Sequence, residues 1–429
     1  MLPEGRFFDR VSQRGPEREE RGRRGPSEGS KYRFAIGLSD QDKPGTVGYQ
    51  AVNRALDVLG VEPSMAFVAI SKAYEENRTT ILTSIRNVIG DIPVIGSIVP
   101  DPIVHREGVT EGRVAVALWA ADEDVEIHAH KIKIHNVPDE EIREILLKRF
   151  EGSGDKRFLN VFGVAPYFFE GIGDRLENVF LSLSEYIDLA VVGVMGGYSP
   201  SPWSILVDDE FLSSHIALLT IKSNHPLGIF FAYGFHPLVP MEITRSEGNY
   251  IVELDHSPAH EVLTDILLSR GINGADLKDR SKLRKILSRF QIALPDPAAA
   301  GRFKAITIKD ITHRGIEVSI GTVEGSTVWL MEADNVEVLK STVKGAMKSL
   351  ASLKGSRAAG MIFFENHLRI KALGEDIKRD TEGLKQAIPL PFLGVPSAQE
   401  LVIHHTVLSG LHSGVAAGML FANSPEKQP

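Results

Sequence analysis

Glycines that interrupt an apolar run could bind an anionic ligand. Gly193, Gly196 and Gly197 belong to the sequence VVGVMGGYS, and Tyr198 follows them directly. Glycine has no side chain, so backbone amides can approach a phosphate or carboxylate closely. The sequence is neither a Walker loop nor a GxGxxG motif that opens a helix. We predict ligand contacts at these four residues, with a structural turn as the alternative.

A second group of polar side chains lies in a turn-rich passage that follows the glycines. Its members supply hydrogen-bond donors, acceptors and one positive charge, as a small polar ligand requires. They are Tyr233, His236, Thr244, Arg245 and Glu253, of which the first four are predicted ligand contacts. Arg245 could hold a carboxylate with two parallel hydrogen bonds. The alternative is that the glycines and prolines of this passage only shape a turn.

A third group comes directly after an apolar strand in the last part of the chain. It contains Glu365, Asn366, His367 and Arg369. In α/β sheets, ligands gather at the carboxyl ends of strands, so these side chains could form a second wall of the same pocket. We predict Glu365 and Arg369 as ligand contacts, with a solvated loop as the alternative.

Residue patterns for catalysis or metal binding are weak. Asp255, His256 and His260 are the best metal-like group, but the predicted helix begins at Pro258 and leaves His256 outside it. The chain has no serine elbow, and residues 208–210 (DDE) look like a hairpin turn rather than a catalytic carboxylate pair. We therefore predict no catalytic residue, no metal site and no cofactor.

The elements that would position these residues recur three times along the chain. Each unit contains two apolar strands, a helix-like segment between them, and a closing apolar strand. The strands read FVAIS, IPVIGSIVP and GRVAVALWA in the first unit, FLNVFGVA, VVGVMGG and HIALLTI in the second, and AAGMIFF, LPFLGVPSA and GVAAGMLFA in the third. This recurrence predicts an α/β fold of mixed α+β type, in which repeated strand-helix-strand units form mixed sheets flanked by helices.

Length and composition limit the possible classes of protein. The chain has 429 residues, of which 43% are hydrophobic, and no apolar run approaches the roughly 18 residues of a membrane span. It has no cysteine, which excludes disulfides and thiolate chemistry. A net charge of −8 gives no reason to expect a nucleic-acid partner. We expect a cytoplasmic protein.

The distribution of residue types along the chain predicts two domains between two disordered ends. Residues 1–30 mix Arg and Glu with Gly, Pro and Ser, and predict a disordered charged tail. Residues 31–223 are predicted to form one α/β domain and residues 224–423 a second. Residues 424–429 are predicted to be a disordered end.

The order of six short sequences resembles the FIST family. They are VVGVMGG, SILVDDEFLSSHIALLTI, GFHPL, ITRSEGNYIVELDHSPA, VEGSTV and FLGVPSAQE, and the resemblance covers about residues 32–423. It implies a FIST N-terminal domain over 31–223 and a FIST C-terminal domain over 224–423. It also implies an intracellular sensory module that binds a small ligand, with amino acids among the suggested ligands, and that acts on a signalling protein partner.

Four positions decide how far the family pattern can be carried over. Ser97 stands where family members commonly have a cysteine, and a second expected cysteine is absent near Glu365. Glu400 matches the usual glutamate of the third unit, whereas Gln399 replaces a glycine. The resemblance therefore adds Glu400 to the predicted ligand contacts and makes any thiol-dependent function unsafe to infer.

These observations favour a sensory protein that binds a small anionic or zwitterionic metabolite. Two alternatives from other classes stay open. One is a hydrolase or transferase that uses His236 or His256 as a base, with Glu253, Asp255 or Glu365 assisting. The other is a scaffold that recruits proteins, as F-box relatives of the FIST family do.

Overall fold

A computed structural model describes residues 33–100, 102–150, 156–166, 172–195, 205–299 and 301–425. The predicted tail and most of the predicted disordered end lie outside the described residues. Gly196, Gly197 and Tyr198 also lie outside them. Within the described residues, no helix is long and apolar enough to cross a membrane.

The first repeat alternates strands with helices and ends in an antiparallel strand. Every residue of its second strand is buried, as expected for a central strand covered on both faces. In its first helix, Val47, Ala51 and Ala55 recur every four residues and form the buried face. The elements are β1 (Phe34–Ser39), α1 (Pro44–Leu59), β2 (Met65–Ser71), α2 (Arg78–Ile89), β3 (Val94–Val99), β4 (Ile103–His105), β5 (Gly108–Thr110) and β6 (Val114–Trp119).

The second repeat has the same order of elements. Its helices bury Leu146 and Phe180 against one face of the sheet. The turn at residues 208–209 joins two short antiparallel strands, so the predicted hairpin is confirmed. The elements are β7 (Glu126–Lys133), α3 (Asp139–Phe150), β8 (Phe158–Ala165), α4 (Ile172–Ser184), β9 (Leu189–Met195), β10 (Ile205–Val207), β11 (Glu210–Leu212) and β12 (His215–Ser223).

The third repeat begins with β13 (Gly228–Ala232) and is then interrupted by a long insertion, residues 235–333. The insertion is mostly antiparallel strands, with three helices near its middle. Its elements are β14 (Phe235–Glu247), β15 (Tyr250–Leu254), β16 (Ser257–Pro258), α5 (Ala259–Ser269), α6 (Gly274–Lys278), α7 (Arg280–Leu287), β17 (Phe290–Pro295), β18 (Phe303–Thr312), β19 (Gly315–Val318) and β20 (Thr327–Ala333).

After the insertion, the third repeat continues in the order of the first two. A long helix packs on the sheet through a buried stripe that includes Val338, Gly345 and Ala346. The elements are α8 (Asn335–Ser352), β21 (Arg357–Asn366), α9 (His367–Leu373), α10 (Ile377–Ala387), β22 (Phe392–Ser397), β23 (Gln399–Ile403), β24 (Gly410–His412) and β25 (Ala416–Asn423).

Each repeat builds four neighbouring strands of its own sheet in the same order. The two strands joined by a crossover helix are parallel, namely β2 with β3, β8 with β9 and β21 with β22. The closing strand lies between the opening strand and the first strand of that pair. The orders are β1-β6-β2-β3, β7-β12-β8-β9 and β13-β25-β21-β22. The predicted fold class, with repeated units in mixed sheets flanked by helices, is confirmed.

The three sheets are completed by exchanged hairpins. The hairpin of the first repeat, β4–β5, pairs with β22 of the third repeat. The hairpin of the second repeat, β10–β11, pairs with β3 of the first. The hairpin of the third repeat, β23–β24, pairs with β9 of the second. Each repeat therefore gives one hairpin and receives one, in a closed cycle.

One apolar core lies between the three sheets. Phe67 of β2, Phe162 of β8 and Phe364 of β21 meet there, one aromatic ring from each repeat. Their ring centroids are 5.8, 6.4 and 5.2 Å apart for the pairs Phe67–Phe162, Phe67–Phe364 and Phe162–Phe364. Aromatic pairs at these separations add to the stability that their burial provides. The face of each sheet that carries these rings is called its inner face below.

The insertion forms a closed ring of antiparallel strands. The pairings run β14-β20-β17-β18-β19-β15, and β15 pairs back onto β14. The ring encloses a separate apolar cluster, to which α5 contributes Leu263 and Leu267 and α7 contributes Leu283 and Leu287. The boundary predicted near residue 223 falls between β12 and β13, and the division into two domains stays a prediction.

Candidate functional site

Glu365 and Asn366, the last two residues of β21, point to opposite faces of the sheet. Phe364 faces inward, where it contacts rings from the other two sheets. Because side chains alternate along a strand, Glu365 faces outward and Asn366 faces inward. Both lie at the carboxyl ends of the parallel strands β21 and β22, where open α/β sheets bind their ligands.

The outward side chain belongs to a buried group that we call the outer cluster: Glu365, Arg369, Asp380 and Thr342. Arg369 of α9 donates from Nε to Glu365 (2.6 Å) and from Nη2 to Asp380 of α10 (2.8 Å). It also bonds to the hydroxyl of Thr342 on α8. Arg369 is 0% exposed. The outer cluster therefore ties three helices to the end of β21.

Burial dominates the electrostatics of the outer cluster. It raises the pKa of Glu365 to about 7, although the guanidinium of Arg369 acts in the opposite direction and Asp380 adds to the rise. For Arg369, burial disfavours the charged form, but the two carboxylates outweigh it and raise the pKa. Arg369 Nη1 and Asp380 Oδ1 are buried without a hydrogen-bond partner. Such groups destabilise a fold unless something else binds them.

The inward side chain belongs to a second group that we call the Glu400 triad: Glu400, Asn366 and Ser397. Asn366 Nδ2 donates to both carboxyl oxygens of Glu400, at 3.1 and 3.0 Å, and to the carbonyl of Ala398 at 2.8 Å. The Ser397 hydroxyl donates to Glu400 Oε1. Asn366 also caps α9, because its Oδ1 accepts from the amide of Leu368 at 3.0 Å. The amide of Asn366 is therefore fixed in one orientation.

Glu400 is a carboxyl group kept away from water. It is 0% exposed, and burial raises its pKa well above the usual range, although its hydrogen bonds with Ser397 and Asn366 act in the opposite direction. The chain crosses from one sheet to the next at this point, since β22 ends at Ser397 and β23 begins at Gln399. The Glu400 triad thus lies at the junction of two sheets.

His412 lies next to the Glu400 triad. It is directly opposite Glu400 in the antiparallel pair β23–β24. Its Nε2 donates to the carbonyl of Leu408 at 2.8 Å, and its Nδ1 is buried without a partner. Burial lowers the pKa of His412 to about 4, so the imidazole is neutral at neutral pH.

The structure brings together four of the predicted contact residues. Glu365 is bonded to Arg369 on the outer face of the sheet. Its neighbour Asn366 is bonded to Glu400 on the inner face. Tyr233 lies near them: its hydroxyl donates to Gln291 (3.5 Å), which donates to the carbonyl of Ser413, the residue after His412 (3.1 Å). Burial raises the pKa of the Tyr233 hydroxyl, and the residue as a whole is half-buried.

The other predicted contacts of the turn-rich passage are not brought to this place. The passage is one continuous strand, β14, and at about 3.3 Å per residue His236 and Arg245 are roughly 30 Å apart. His236 faces Glu332 with 3.9 Å between Nε2 and Oε2. Arg245 is exposed and pairs with Glu247 (2.9 Å) and Glu253 (3.4 Å). The structure therefore does not bring Tyr233 and Arg245 together.

Thr244 and the backbone amide of His256 hold a tight turn. The hydroxyl of Thr244 accepts from the amide of His256 at 3.0 Å. Asp255 and His256 both have positive φ, at 49° and 63°, and Asp255 accepts from the amide of Glu242 at 2.9 Å. Over the described ranges, no three His, Asp or Glu side chains are grouped so that they could hold a metal ion.

Gly193 lies inside a strand and not in a glycine turn. It is in the middle of β9, paired with Gly163 on one side and Leu401 on the other. Apolar residues that include Leu176 and Phe180 line the space beside it. The expected anion contact at Gly193 is therefore not supported by its surroundings, and the rest of that motif lies outside the described residues.

Sequence reasoning missed Asp380, Thr342, Ser397 and the unpaired nitrogen of His412. One signal could have revealed Asp380. It lies on the apolar stripe of α10, between Ile377 and Leu384, where a carboxylate needs a buried partner. Ser397 gave no such signal, because a serine after FLGVP is also common in turns.

The fold and the site together define a class of protein: a three-repeat α/β body with a buried polar site at one junction between its sheets. Comparison with protein families is consistent with this class, since residues 64–257 match the family model of the FIST N domain. The match covers less than half of the chain. It contains the whole second repeat and ends within the insertion, and the FIST C-terminal domain stays a prediction.

Comparisons with individual proteins add little. No curated protein sequence matches the chain. One solved structure with detectable similarity is cyanuric acid hydrolase from A. caulinodans, at 11% identity and a TM-score of 0.25, covering 44% of this chain and 71% of that one. This similarity is too low to support an argument about fold or chemistry.

Proposed function

We propose that this protein is a sensory module that binds a small polar metabolite at the Glu400 triad. The observation that carries the proposal is the fully buried carboxyl of Glu400, held by Asn366 and Ser397 at the carboxyl ends of two parallel strands. Burial raises the pKa of this carboxyl well above its usual range, and groups perturbed in this way cluster at functional sites, so its presence favours a binding role.

The outer cluster supports the proposal, because it holds the end of β21 rigid behind this site. Glu365 and Asn366 are neighbours on β21, and Arg369 fixes Glu365 from the opposite face of the sheet. Binding sites need contact groups whose orientation is fixed before the ligand arrives. A change in the tilt of α9 or α10 on binding would be the signal that a partner protein reads.

Thermal-shift measurements with amino acids, nucleotides and small carboxylates test the proposal. A ligand that binds only the folded protein raises its melting temperature. The shift should be lost in Glu400→Gln and kept in Arg245→Ala, which alters an exposed residue of the insertion. If Arg245→Ala removes the shift and Glu400→Gln keeps it, the site is on the insertion instead. A stabilising compound that is also consumed would indicate the enzymatic alternative.

A further inference from the structure

Nδ1 of His412 is a hydrogen-bond acceptor that no described residue uses. Because Nε2 of His412 points to the carbonyl of Leu408, Nε2 must carry the ring proton. The lone pair of the neutral ring is therefore on Nδ1, which is buried and unpaired. His412 is 1% exposed, so bulk water does not satisfy this atom.

The side chain of His412 faces the same way as that of Glu400. Residues directly opposite each other in an antiparallel pair share a face, with Cβ atoms roughly 4.5–5.5 Å apart. The neighbouring residues Leu401 and Leu411 pack with apolar residues of α4, on the face of the sheet opposite to the inner face. Glu400 and His412 therefore both point inward. The hydroxyl of Ser413, the next residue, is also buried without a partner.

The hydrogen-bond donors around Glu400 are already occupied. Asn366 Nδ2 donates to Glu400 and to a backbone carbonyl, and the Ser397 hydroxyl donates to Glu400. Arg369 makes its bonds on the outer face. Lys304 is paired with Glu177 at 2.5 Å. Apart from the Ser413 hydroxyl, which can donate or accept, the described residues around Glu400 and His412 offer acceptors to a ligand and no unpaired cation.

We propose that the ligand presents a nitrogen with at least two hydrogens, donated to the carboxyl of Glu400 and to Nδ1 of His412. A primary ammonium, an amidinium or a primary amide has such a nitrogen. A ligand that presented only a carboxylate or phosphate to Glu400 and to Nδ1 of His412 would place acceptors against acceptors. This inference rests on the proposed function, and it changes the expected ligand from an anion to a donor of nitrogen hydrogens.

Three probes with the same carbon chain test the inference: butylamine, butyramide and butyrate. With a dissociation constant of about 1 mM, butylamine or butyramide at about 10 mM should raise the melting temperature by about 1–2 °C. Butyrate should give no shift. Inorganic phosphate serves as a second anion and should also give none.

Variants connect any shift to this corner. Glu400→Gln keeps the shape of the side chain but replaces one carboxyl oxygen by an NH2 group, which donates and does not accept, and should lose the response to butylamine. His412→Phe keeps a planar ring without Nδ1. It should raise the dissociation constants of both nitrogen probes at least tenfold. Arg245→Ala is the control and should respond as the unaltered protein does. Melting temperatures without probe show whether each variant folds.

The outcomes separate this inference from the proposed function. If butyrate, phosphate or a carboxylate metabolite stabilises the protein through Glu400 while butylamine and butyramide do not, the binding site stands and the nitrogen inference is wrong. If the nitrogen probes act equally on Glu400→Gln and on the unaltered protein, the inference is also wrong. If neither these probes nor any metabolite shifts the melting temperature, both proposals fail.

Discussion

The first and third repeats have the same architecture but different residues at corresponding positions. Gly96 pairs with Val68 in the first repeat, and Gly394 pairs with Phe363 in the third. Two residues further along the first strand of each pair, the first repeat has Ile70 and the third has Glu365. Ile70 is buried among apolar residues of α1 and α2, on the face of its sheet opposite to the inner face. An apolar residue therefore suffices at this position.

The exchanged hairpins show the same contrast on the inner face. Val104 pairs with Gly394, and Leu401 pairs with Gly193, so Ile103 and Glu400 correspond. Ile103 is fully buried in the central core. The three-repeat architecture thus does not require a carboxyl group at either position. The polar residues of the third repeat are therefore not needed for the architecture, and the binding role proposed above accounts for them.

The largest effect is expected from removing the cation of the outer cluster. Arg369→Met leaves two buried carboxyl groups, Glu365 and Asp380, without their partner. We expect the free energy of unfolding in urea to fall by about 3–5 kcal/mol. Replacing the outer cluster by apolar residues, with Glu365→Ile and Asp380→Leu added, should restore at least half of the loss. A loss below about 1 kcal/mol for Arg369→Met would contradict the burial described above.

Alanine substitution of the corresponding glycines should affect stability differently in the first and second repeats, because the space around each glycine differs. A Cβ on Gly96 would lie 2.0 Å from the carbonyl oxygen of Val68, so Gly96→Ala should destabilise the protein by about 1–3 kcal/mol. On Gly193 the nearest atom would be 3.6 Å away. Gly193→Ala should therefore be neutral or stabilise by about 0.4–1 kcal/mol. Equal unfolding midpoints for the two variants would show that the strands are spaced differently.

The pH dependence of stability should report the buried carboxyl of Glu400. Its pKa is higher in the folded state than in the unfolded chain. Its contribution to stability is therefore fully present below the unfolded pKa of about 4.3, and is lost as pH rises through the folded pKa. Glu400→Gln resembles the protonated form at every pH.

The measurement compares urea unfolding of the two proteins from about pH 4 to pH 8. The stability of the unaltered protein minus that of Glu400→Gln should decrease with rising pH, by at most about 1.4 kcal/mol per pH unit. Taking this difference cancels the titration of histidines that both proteins share. A difference that does not change with pH would mean that Glu400 titrates normally.

The smallest effect is expected at an arginine that differs from Arg369 only in its surroundings. Arg245 also pairs with two carboxylates, Glu247 and Glu253, but its side chain is 52% exposed. Exposed ion pairs contribute little, so Arg245→Ala should change the free energy of unfolding by less than about 0.5 kcal/mol. A loss comparable to that of Arg369→Met would remove the contrast between the buried and exposed pairs.

The repeated units were predictable from the sequence because long apolar runs identify buried strands. Glu365 and Arg369 were predicted for the same reason, since they follow such a strand, and Glu400 was predicted from the family pattern. The exchange of hairpins was not predictable. Strands of three residues, such as β4 and β10, carry no periodicity, and their local sequence does not indicate which sheet they join.

The long strand β14 was misread because of its prolines. Gly234 and Pro237 suggested a turn, and the polar residues of this passage were expected to line one pocket. In the structure the pairing of β14 with β20 shifts register between Pro237 and Val239, which accommodates a residue without an amide hydrogen. The strand continues, and it carries Arg245 away from Tyr233.

The cyclic exchange of hairpins has a consequence for how such a chain could arise. A protein with only one repeat could not complete its own sheet, but three copies would complete one another as a symmetric trimer. Duplication and fusion of one gene would then turn that trimer into a single chain with the same body. After fusion, a mutation changes one junction instead of three. This accounts for a polar site at one corner of a body whose first repeat has isoleucine at the corresponding positions.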